Sequence, residues 1–214
     1  FVVHNESDHI YAVTRSKRET DSKRITWIMH SEYTASILDS YKIDAIIHLA
    51  GKAHDTQNTT ESEEYYKVNF ELTKQIFDAF IGSNASTFIF LSTIKAVGDD
   101  KTYVHNAEDL GEPTTPYAKT KREAEKYIQN YPLPPTKRHY ILRPCLIYGP
   151  DVKGNLAELV KYIEKETPYP LAAFHNKRSY LSVENLSHIF LKLLEQKRPS
   201  FTLNISNEDA ISTV

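Results

Sequence analysis

Short runs of β-branched and aromatic residues alternate with longer amphipathic stretches along this chain. The strands that this pattern predicts are His9–Val13, Thr26–Met29, Ala45–Leu49, Thr87–Leu91, Tyr140–Leu142 and Phe201–Asn204. The helices that it predicts are Tyr33–Tyr41, Glu61–Ile81, Pro116–Tyr131, Leu156–Glu166 and Val183–Glu195. Alternating strands and helices are typical of βαβ units around a parallel sheet. The nearly all-apolar run Ala45–Ala50 fits a strand covered on both faces, so we predict an α/β fold with a doubly wound parallel sheet.

The two ends of the chain do not complete this pattern. Residues 1–8 have the character of a helix end followed by a polar turn, and no strand precedes them. Residues 210–214 begin a helical pattern that stops with the last residue. We therefore expect a chain truncated at both ends, with a first strand and most of a first helix upstream of Phe1. A compact domain with atypical ends is the alternative.

The composition excludes several classes of protein. The chain has 214 residues, of which 25% are charged and 40% are hydrophobic, as expected for a soluble globular domain. Its net charge of −2 argues against a partner nucleic acid held by charge, and no apolar run approaches the roughly 20 residues that span a membrane. The single cysteine, Cys145, and the lack of an export signal favour a cytoplasmic location. The nine histidines show no clustered spacing, so we predict no metal site.

A tyrosine and a lysine stand four residues apart in the segment YAKTK. Thr115 can cap a helix whose first residue is Pro116, a position that favours proline. Tyr117 would then lie in the first turn and Lys121 one turn later on the same apolar face, while Glu125 and the other charged residues of this helix point elsewhere. A lysine cation beside a phenol lowers the pKa of that phenol, which suits an acid/base. A core tyrosine with a lysine that reaches to solvent is the alternative.

Two other predicted strands end in residues suited to a ligand site. The strand at 87–91 is followed by the hydroxyls of Ser92 and Thr93, and the strand at 45–49 runs into Gly51. Ligands of open α/β sheets bind beyond the carboxyl ends of the strands, and a glycine there lets the backbone approach a phosphate. Ser92 and Thr93 are also typical turn formers, which is the alternative interpretation. His48 lies inside an apolar strand, and we interpret it as a core histidine.

Four segments carry a family resemblance: HLAG at 48–51, FIFLST at 88–93, YAKTK at 117–121 and LRPCLIYGP at 142–150. In this order and at these spacings they resemble the extended short-chain dehydrogenase/reductase family, and within it the nucleotide-sugar epimerases and dehydratases. The resemblance covers about residues 9–206. It implies a Rossmann-like sheet in which residues 1–150 form the NAD(P)-binding domain without its first βα unit. Residues 151–214 would supply part of a small sugar-nucleotide lobe and elements that return to the sheet.

The resemblance also implies roles for individual residues. Tyr117 would be the acid/base, Lys121 its pKa partner and a ribose ligand, and Thr93 the hydroxyl on the reacting sugar oxygen. The cofactor-binding residues that it implies are Thr14, Arg15, Ser16, Leu49, Ala50, Gly51, Asn69, Tyr117, Lys121 and Pro144. The substrate-binding residues that it implies are Thr93, Asn155, Leu156 and Arg178, the last of which would bind the diphosphate.

The chain departs from the family pattern in two places. The Gly-rich turn that binds the pyrophosphate at a helix N-terminus is absent, because Gly51 is the first of only six glycines. We therefore expect these 214 residues by themselves to bind NAD(H) or NADP(H) poorly. Where NAD-preferring members carry an acid, this chain has Thr14, Arg15 and Ser16. Because a cationic loop suits a 2′-phosphate, the expected cofactor is NAD or NADP, with NADP favoured.

The activity implied by the resemblance is that of an NAD(P)-dependent epimerase acting on a nucleotide-diphospho-sugar. It would resemble a UDP-hexose 4-epimerase that works through a 4-keto intermediate. A 4-ketoreductase that consumes external NAD(P)H is the nearest alternative, and a non-catalytic sugar-nucleotide-binding remnant is another. Dehydration is disfavoured, because Ile94 and Lys95 follow Thr93 where a dehydratase carries an acidic residue. The implied partners are the sugar nucleotide and a second copy of the chain, paired through the helices at 61–81 and 116–131.

Overall fold

A computed structural model of the chain describes residues 9–14, 23–53, 62–98, 108, 111–150, 164–165 and 177–212. The strands are β1 (Ile10–Thr14), β2 (Ile25–Met29), β3 (Ala45–His48), β4 (Thr87–Leu91), β5 (Arg138–Pro144), β6 (Leu146–Tyr148), β7 (Arg178–Ser182), β8 (Phe201–Ile205) and β9 (Ala210–Ile211). The α-helices are α1 (Ala35–Ser40), α2 (Ser62–Tyr65), α3 (Leu72–Gly82), α4 (Pro116–Asn130) and α5 (Val183–Gln196). Most of the predicted helix Leu156–Glu166 lies outside the described residues.

The central sheet confirms the predicted parallel α/β architecture. Its four strands run in the order β3-β4-β5-β8, and every neighbouring pair is parallel. In this register Ile89 lies opposite both Ile47 and Tyr140. β1 and β2 form a separate parallel pair. Because parallel strands share one carboxyl edge, the residues that follow β3, β4 and β5 are brought to the same side of the sheet.

Helices cover both faces of this sheet, because alternate strand residues point in opposite directions. One face packs against α1, α3 and α4 in a buried cluster that includes Leu38, Ile46, Ile76, Phe77, Phe80, Phe88, Phe90, Ala124, Ile128 and Ile141. The other face packs against α5 in a cluster that includes Ile89, Tyr140, Leu142, Leu186, Phe190 and Leu193. The β4 side chains from Phe88 to Phe90 are completely buried. This two-sided burial explains why the strand has no polar alternation.

A small second sheet was not predicted. β6 and β7 are parallel and β7 and β9 are antiparallel. These strands are short, and several of their residues are exposed, so they lack an apolar signal. The prediction that residues 210–214 begin a helix is wrong for Ala210–Ile211, which pair with β7. The prediction for β5 was too short, because this strand extends from Arg138 to Pro144.

The predicted helix Glu61–Ile81 contains a change of helical form. A π-helical segment, Tyr66–Glu71, lies between α2 and α3. Such segments insert one residue into a helix and turn side chains to new directions, often at functional sites. Here the segment includes the completely buried Asn69. Within the described ranges, no helix combines the length and apolar character needed to cross a membrane.

Candidate active site at the carboxyl edge of the sheet

The first turn of α4 has the predicted cap. The Thr115 hydroxyl accepts a hydrogen bond from the backbone N–H of Ala118 at 3.3 Å, and Pro116 is the first helical residue. Tyr117 therefore lies in the first turn and Lys121 one turn later. Tyr117 is half-buried, whereas Lys121 is only 3% exposed. The lysine thus faces the interior of the protein, as its position on the apolar face predicts.

Lys121 joins α4 to the ends of two strands. Its Nζ donates a hydrogen bond to the carbonyl oxygen of Leu91, the last residue of β4, at 3.0 Å. The same Nζ lies 4.6 Å from the centre of the Phe90 ring. A Cβ added to Gly51 would come within 3.0 Å of this nitrogen and 3.2 Å of Asn69 Oδ1. A side chain at Gly51, three residues after β3, would therefore crowd Lys121 and Asn69.

Burial controls the protonation of both side chains. It lowers the pKa of Lys121 to about 8, against the opposing charge of Glu125. Burial also raises the pKa of Tyr117, although a hydrogen bond with Thr93 acts in the other direction. The expectation that Lys121 lowers the pKa of Tyr117 is therefore wrong for the chain alone. Desolvation of the phenolate dominates, and the Lys121 ammonium is bonded to a backbone carbonyl instead.

The two hydroxyls after β4 point to different partners. Thr93 caps a short 3₁₀ turn, Ile94–Ala96, and accepts a hydrogen bond from the N–H of Lys95 at 3.3 Å. Its side chain is also hydrogen-bonded to Tyr117. Ser92 instead donates a hydrogen bond to the carboxylate of Glu125 in the interior. Thr93 therefore interacts with Tyr117, Lys121 binds the Leu91 carbonyl at the end of the same strand, and Ser92 points away to Glu125.

A buried ion pair behind the site was missed by the sequence analysis. Arg143 Nε lies 2.9 and 3.1 Å from the two carboxylate oxygens of Glu125, and Arg143 Nη2 lies 2.6 Å from Oε2. The exposed fractions of the two side chains are 2% and 0%. The prediction that Glu125 points away from the apolar face is wrong, because Arg143 neutralises its charge inside the protein. The available signal was the spacing of Glu125 four residues after Lys121.

Asn69 supports the turn after β3 from within the protein. Its Oδ1 accepts the N–H of Lys52 at 2.8 Å, and its Nδ2 donates to the carbonyl of Lys52 at 3.1 Å. Nδ2 also lies 3.3 Å from the hydroxyl of Thr120 on α4. These contacts fix Gly51 and Lys52 against α4. Asn69 is completely buried, so it shapes this edge of the site from behind.

His48 is a core residue, as interpreted from the sequence. One ring nitrogen lies 2.9 Å from the Thr73 hydroxyl, and the ring stacks on Phe90 with centroids 5.6 Å apart. The Thr73 hydroxyl donates to the carbonyl of Asn69 at 2.7 Å, so it accepts from His48. Burial lowers the pKa of His48 to about 3. The ring is therefore neutral at physiological pH. Through Thr73 and Asn69 it supports the turn that follows β3.

The remaining predicted ligand residues divide into three groups. Leu49, Ala50 and Gly51 are exposed just after the end of β3. Thr14 ends β1, Pro144 is buried at the end of β5, and Arg178 is exposed at the start of β7. The residues that lie outside the described ranges are Arg15, Ser16, Asn155 and Leu156. Within those ranges no three histidine, cysteine or acidic side chains are placed to hold a metal ion.

Comparison with known proteins identifies relatives of this chain. A family model described as the NAD dependent epimerase/dehydratase family matches residues 3–206. The UDP-glucose 4-epimerase of Vibrio cholerae is 31% identical over 159 residues, which cover 72% of this chain and 48% of that protein. The dTDP-D-glucose 4,6-dehydratase of Homo sapiens is 25% identical over 199 residues, which cover 87% of this chain and 54% of that protein. The chain thus spans about half the length of these relatives.

Solved structures share the fold. The structure of MoeE5 in complex with UDP-glucose and NAD matches with a TM-score of 0.78 at 20% identity, over 96% of this chain and 70% of MoeE5. The UDP-N-acetylglucosamine 4-epimerase of Bacillus cereus matches with a TM-score of 0.76 at 24% identity, over 94% of this chain and 70% of that one. The sheet and helices described above are therefore the Rossmann-like fold that the sequence predicted.

Proposed function

Because the chain belongs to the NAD dependent epimerase/dehydratase family, we propose that it carries the catalytic residues of an NAD(P)-dependent 4-epimerase. The substrate would be a nucleotide-diphospho-sugar, such as a UDP-hexose. The observation that carries the proposal is the hydrogen bond between Tyr117 and Thr93, with the Lys121 ammonium held at the end of the same strand. The UDP-glucose 4-epimerase among the relatives supports the substrate class.

In this proposal Tyr117 and Thr93 act on one hydroxyl of the sugar. Thr93 hydrogen-bonds the 4-oxygen, and Tyr117 accepts the proton from that oxygen as a phenolate. The hydrogen bond with Thr93 favours this phenolate, and burial opposes it. Loss of this proton from the 4-oxygen and of the hydride from C4 gives a 4-ketone. Return of the hydride to the opposite face of C4, and of the proton to the oxygen, inverts the carbon. A bound nicotinamide supplies the acceptor and then the donor of the hydride. Lys121, with its pKa of about 8, remains largely protonated at pH 7 and contributes a fixed positive charge.

The chain also offers residues to hold the two ligands. Leu49, Ala50 and Gly51 provide exposed backbone for the cofactor beside Lys121, with Thr14 at the end of β1. We propose a preference for NADP on the sequence of the loop after Thr14, whose Arg15 suits a 2′-phosphate. The exposed Arg178 would bind the diphosphate of the substrate, together with Asn155 and Leu156. Residues 1–150 would form the cofactor-binding domain and residues 151–214 part of the substrate lobe.

The proposed assembly is a cytoplasmic homodimer paired through α3 and α4. A surface groove beside these helices is lined by Phe70, Tyr127 and Tyr131, and aromatic residues are enriched at protein interfaces. Light scattering of the purified protein tests this assembly. A mass of twice the subunit supports the dimer, and a monomer at micromolar concentration rejects it.

The activity is tested on the protein produced from its complete reading frame. It is incubated with UDP-glucose or UDP-N-acetylglucosamine and catalytic NAD⁺ or NADP⁺, and the C4 epimer is detected by proton NMR. Formation of the epimer without net change in cofactor absorbance supports the proposal. A 4-ketoreductase would instead consume NAD(P)H in proportion to a 4-keto-sugar nucleotide. Binding of the sugar nucleotide without any turnover would identify a non-catalytic binding protein and reject the proposal.

A further inference from the structure

Three buried polar side chains, Ser92, Glu125 and Arg143, are hydrogen-bonded to one another through the Glu125 carboxylate behind the candidate site; we call them the Glu125 cluster. Glu125 accepts the Ser92 hydroxyl and three close contacts from Arg143. The exposed fractions are 3% for Ser92, 0% for Glu125 and 2% for Arg143. No member of the cluster can reach a ligand while it is buried in this way. Its effect on a reaction must therefore pass through other residues.

Each member lies next to a residue of the proposed site. Ser92 directly precedes Thr93, Arg143 directly precedes Pro144, and Glu125 follows Lys121 by one helical turn. The cluster therefore connects the ends of β4 and β5 to the helix that carries Tyr117. A backbone hydrogen bond of 2.8 Å from Ser92 N to Leu142 O joins the two strands at the same level.

Stability alone does not account for an ion pair in this position. Removing two charges from water is costly, and well-packed apolar residues in place of a buried pair are often equally stable. The bidentate geometry of an arginine and a carboxylate fixes distance and orientation, which apolar packing does not. We propose that Ser92, Glu125 and Arg143 are positioning residues that hold Thr93, Tyr117 and Lys121 in reactive geometry. This inference rests on the proposed function.

Besides its role in positioning, the charge of Glu125 affects the pKa of Lys121. It raises the pKa of Lys121 against the effect of burial. The titratable groups around Lys121 are the neutral His48 on β3, Tyr117 and Glu125 on its own helix, and Arg143 on β5, which is paired with Glu125. Loss of the Glu125 charge would leave the buried ammonium opposed by desolvation and by Arg143. The pKa of Lys121 would then fall below its present value of about 8.

Four variants of the complete protein test the proposal: Glu125→Gln, Ser92→Ala, the double variant Glu125→Leu/Arg143→Met, and the surface control Glu195→Gln. The control removes an exposed pair between Lys192 and Glu195 on α5. Thermal unfolding, kcat, KM and the pH profile of turnover are measured for each. Lys121 is titrated separately by NMR of ¹³Cε-labelled lysine, with Lys121→Arg used for the assignment.

The proposal predicts that the double variant folds, because no buried charge is left unpaired. It also predicts a kcat about 10²-fold below wild type with a nearly unchanged KM, because misplaced reacting groups slow chemistry more than binding. Ser92→Ala lowers kcat less, and Glu125→Gln moves the Lys121 titration and the alkaline limb of the profile to lower pH. Glu195→Gln changes none of these values.

Wild-type kcat in the folded double variant, or an unchanged Lys121 titration in Glu125→Gln, overturns the proposal and leaves the cluster with a purely structural role. Failure of the proposed function would look different, because the unmodified protein would then turn over no sugar nucleotide. In that case two structural readouts still decide whether the cluster positions these residues. One is the Lys121 titration in Glu125→Gln, and the other is whether the Thr93–Tyr117 hydrogen bond keeps its position in Ser92→Ala.

Discussion

The side chains of Tyr117 and Thr93 are joined by a hydrogen bond between the first turn of α4 and the end of β4. Thr93 accepts a second hydrogen bond from Lys95 N–H at 3.3 Å. The backbone cap thus orients the hydroxyl, and the hydroxyl in turn opposes the rise in pKa that burial imposes on the Tyr117 phenol. A tyrosine and a threonine held in this way can share one ligand oxygen.

Replacement of Thr93 by valine removes the hydroxyl and keeps the branched shape. We expect kcat for C4 epimerisation to fall by about 10²-fold, because one positioned proton-handling group is lost. The acid limb of the pH–rate profile should move to higher pH, since the pKa of Tyr117 rises without its hydrogen bond. Thr93→Ser, which keeps the hydroxyl, is the matched control. Equal activities of the valine and serine variants would contradict a role for this hydroxyl.

Replacement of Lys121 by methionine should stabilise the protein and inactivate it. Burial lowers the pKa of Lys121 to about 8, so the charged form is disfavoured in the folded state at pH 7. The difference from the usual lysine pKa of 10.5, less the lost hydrogen bond to Leu91 O, corresponds to a gain in stability of about 2 kcal/mol.

The gain from Lys121→Met should disappear as pH rises from 8 toward 10.5, because the wild-type lysine then becomes neutral in the folded state first. Urea unfolding at pH 7 and pH 10 measures this dependence. If Lys121→Met is less stable than wild type at pH 7, the contacts of the ammonium stabilise the folded protein by more than its burial costs. Retained epimerase activity would remove Lys121 from the mechanism.

His48 should make the protein sensitive to acid. Its pKa is lowered from 6.5 to about 3, so the unfolded chain binds more protons than the folded one between these values. Its contribution to stability is complete above pH 6.5 and is lost as pH falls toward 3, which amounts to about 2 kcal/mol at pH 5. His48→Gln can still donate to Thr73 and should lose less stability between pH 8 and pH 5. Identical losses in both proteins would contradict this assignment.

Lys137 should affect stability without affecting activity. Its Nζ donates to the carbonyls of Phe80, Ser83 and Ala85 at 2.9, 2.7 and 2.6 Å, and so closes the turn after α3. This turn lies at the amino end of β4, away from the candidate site. Lys137→Met should lower the free energy of unfolding by about 1–2 kcal/mol and leave kcat unchanged. Replacement of the exposed Lys192 by methionine is the control. A loss of kcat in Lys137→Met alone would contradict the expectation that Lys137 affects stability without affecting activity.

The sequence predicted the parts of the structure that depend on local chemistry. Thr115 and Pro116 were sufficient to start α4 at the observed residue, and the apolar run of β4 was predicted with its exact bounds. The spacing of Glu125 four residues after Lys121 indicated its helix face, but its pairing with Arg143 could not be predicted, because Arg143 lies on another element and arrives through strand pairing. The π-helical segment around Asn69 was missed for the same reason. Its contacts with Lys52 and Thr120 are tertiary, and no local propensity encodes them.

The raised pKa of Tyr117 shows a further limit of sequence reasoning. Spacing correctly placed Lys121 on the face of Tyr117, but it gave no information on desolvation or on the carbonyl that binds the ammonium. Both depend on how deeply β4 and α4 pack together. The choice of Thr93 over Ser92 as the partner of Tyr117 likewise follows from the turn at Ile94–Ala96, which directs neighbouring hydroxyls to opposite sides.

The most direct test of the proposed chemistry is the turnover of Tyr117→Phe in the complete protein. The substitution removes one oxygen and leaves the ring to pack, so the melting temperature and the dissociation constant of the cofactor should stay close to wild type. The rate of C4 inversion of the UDP-sugar, followed by proton NMR, should fall by about 10²- to 10⁴-fold, because Tyr117 carries the proton. Near-wild-type turnover in the folded variant would contradict the assignment of Tyr117 as the acid/base.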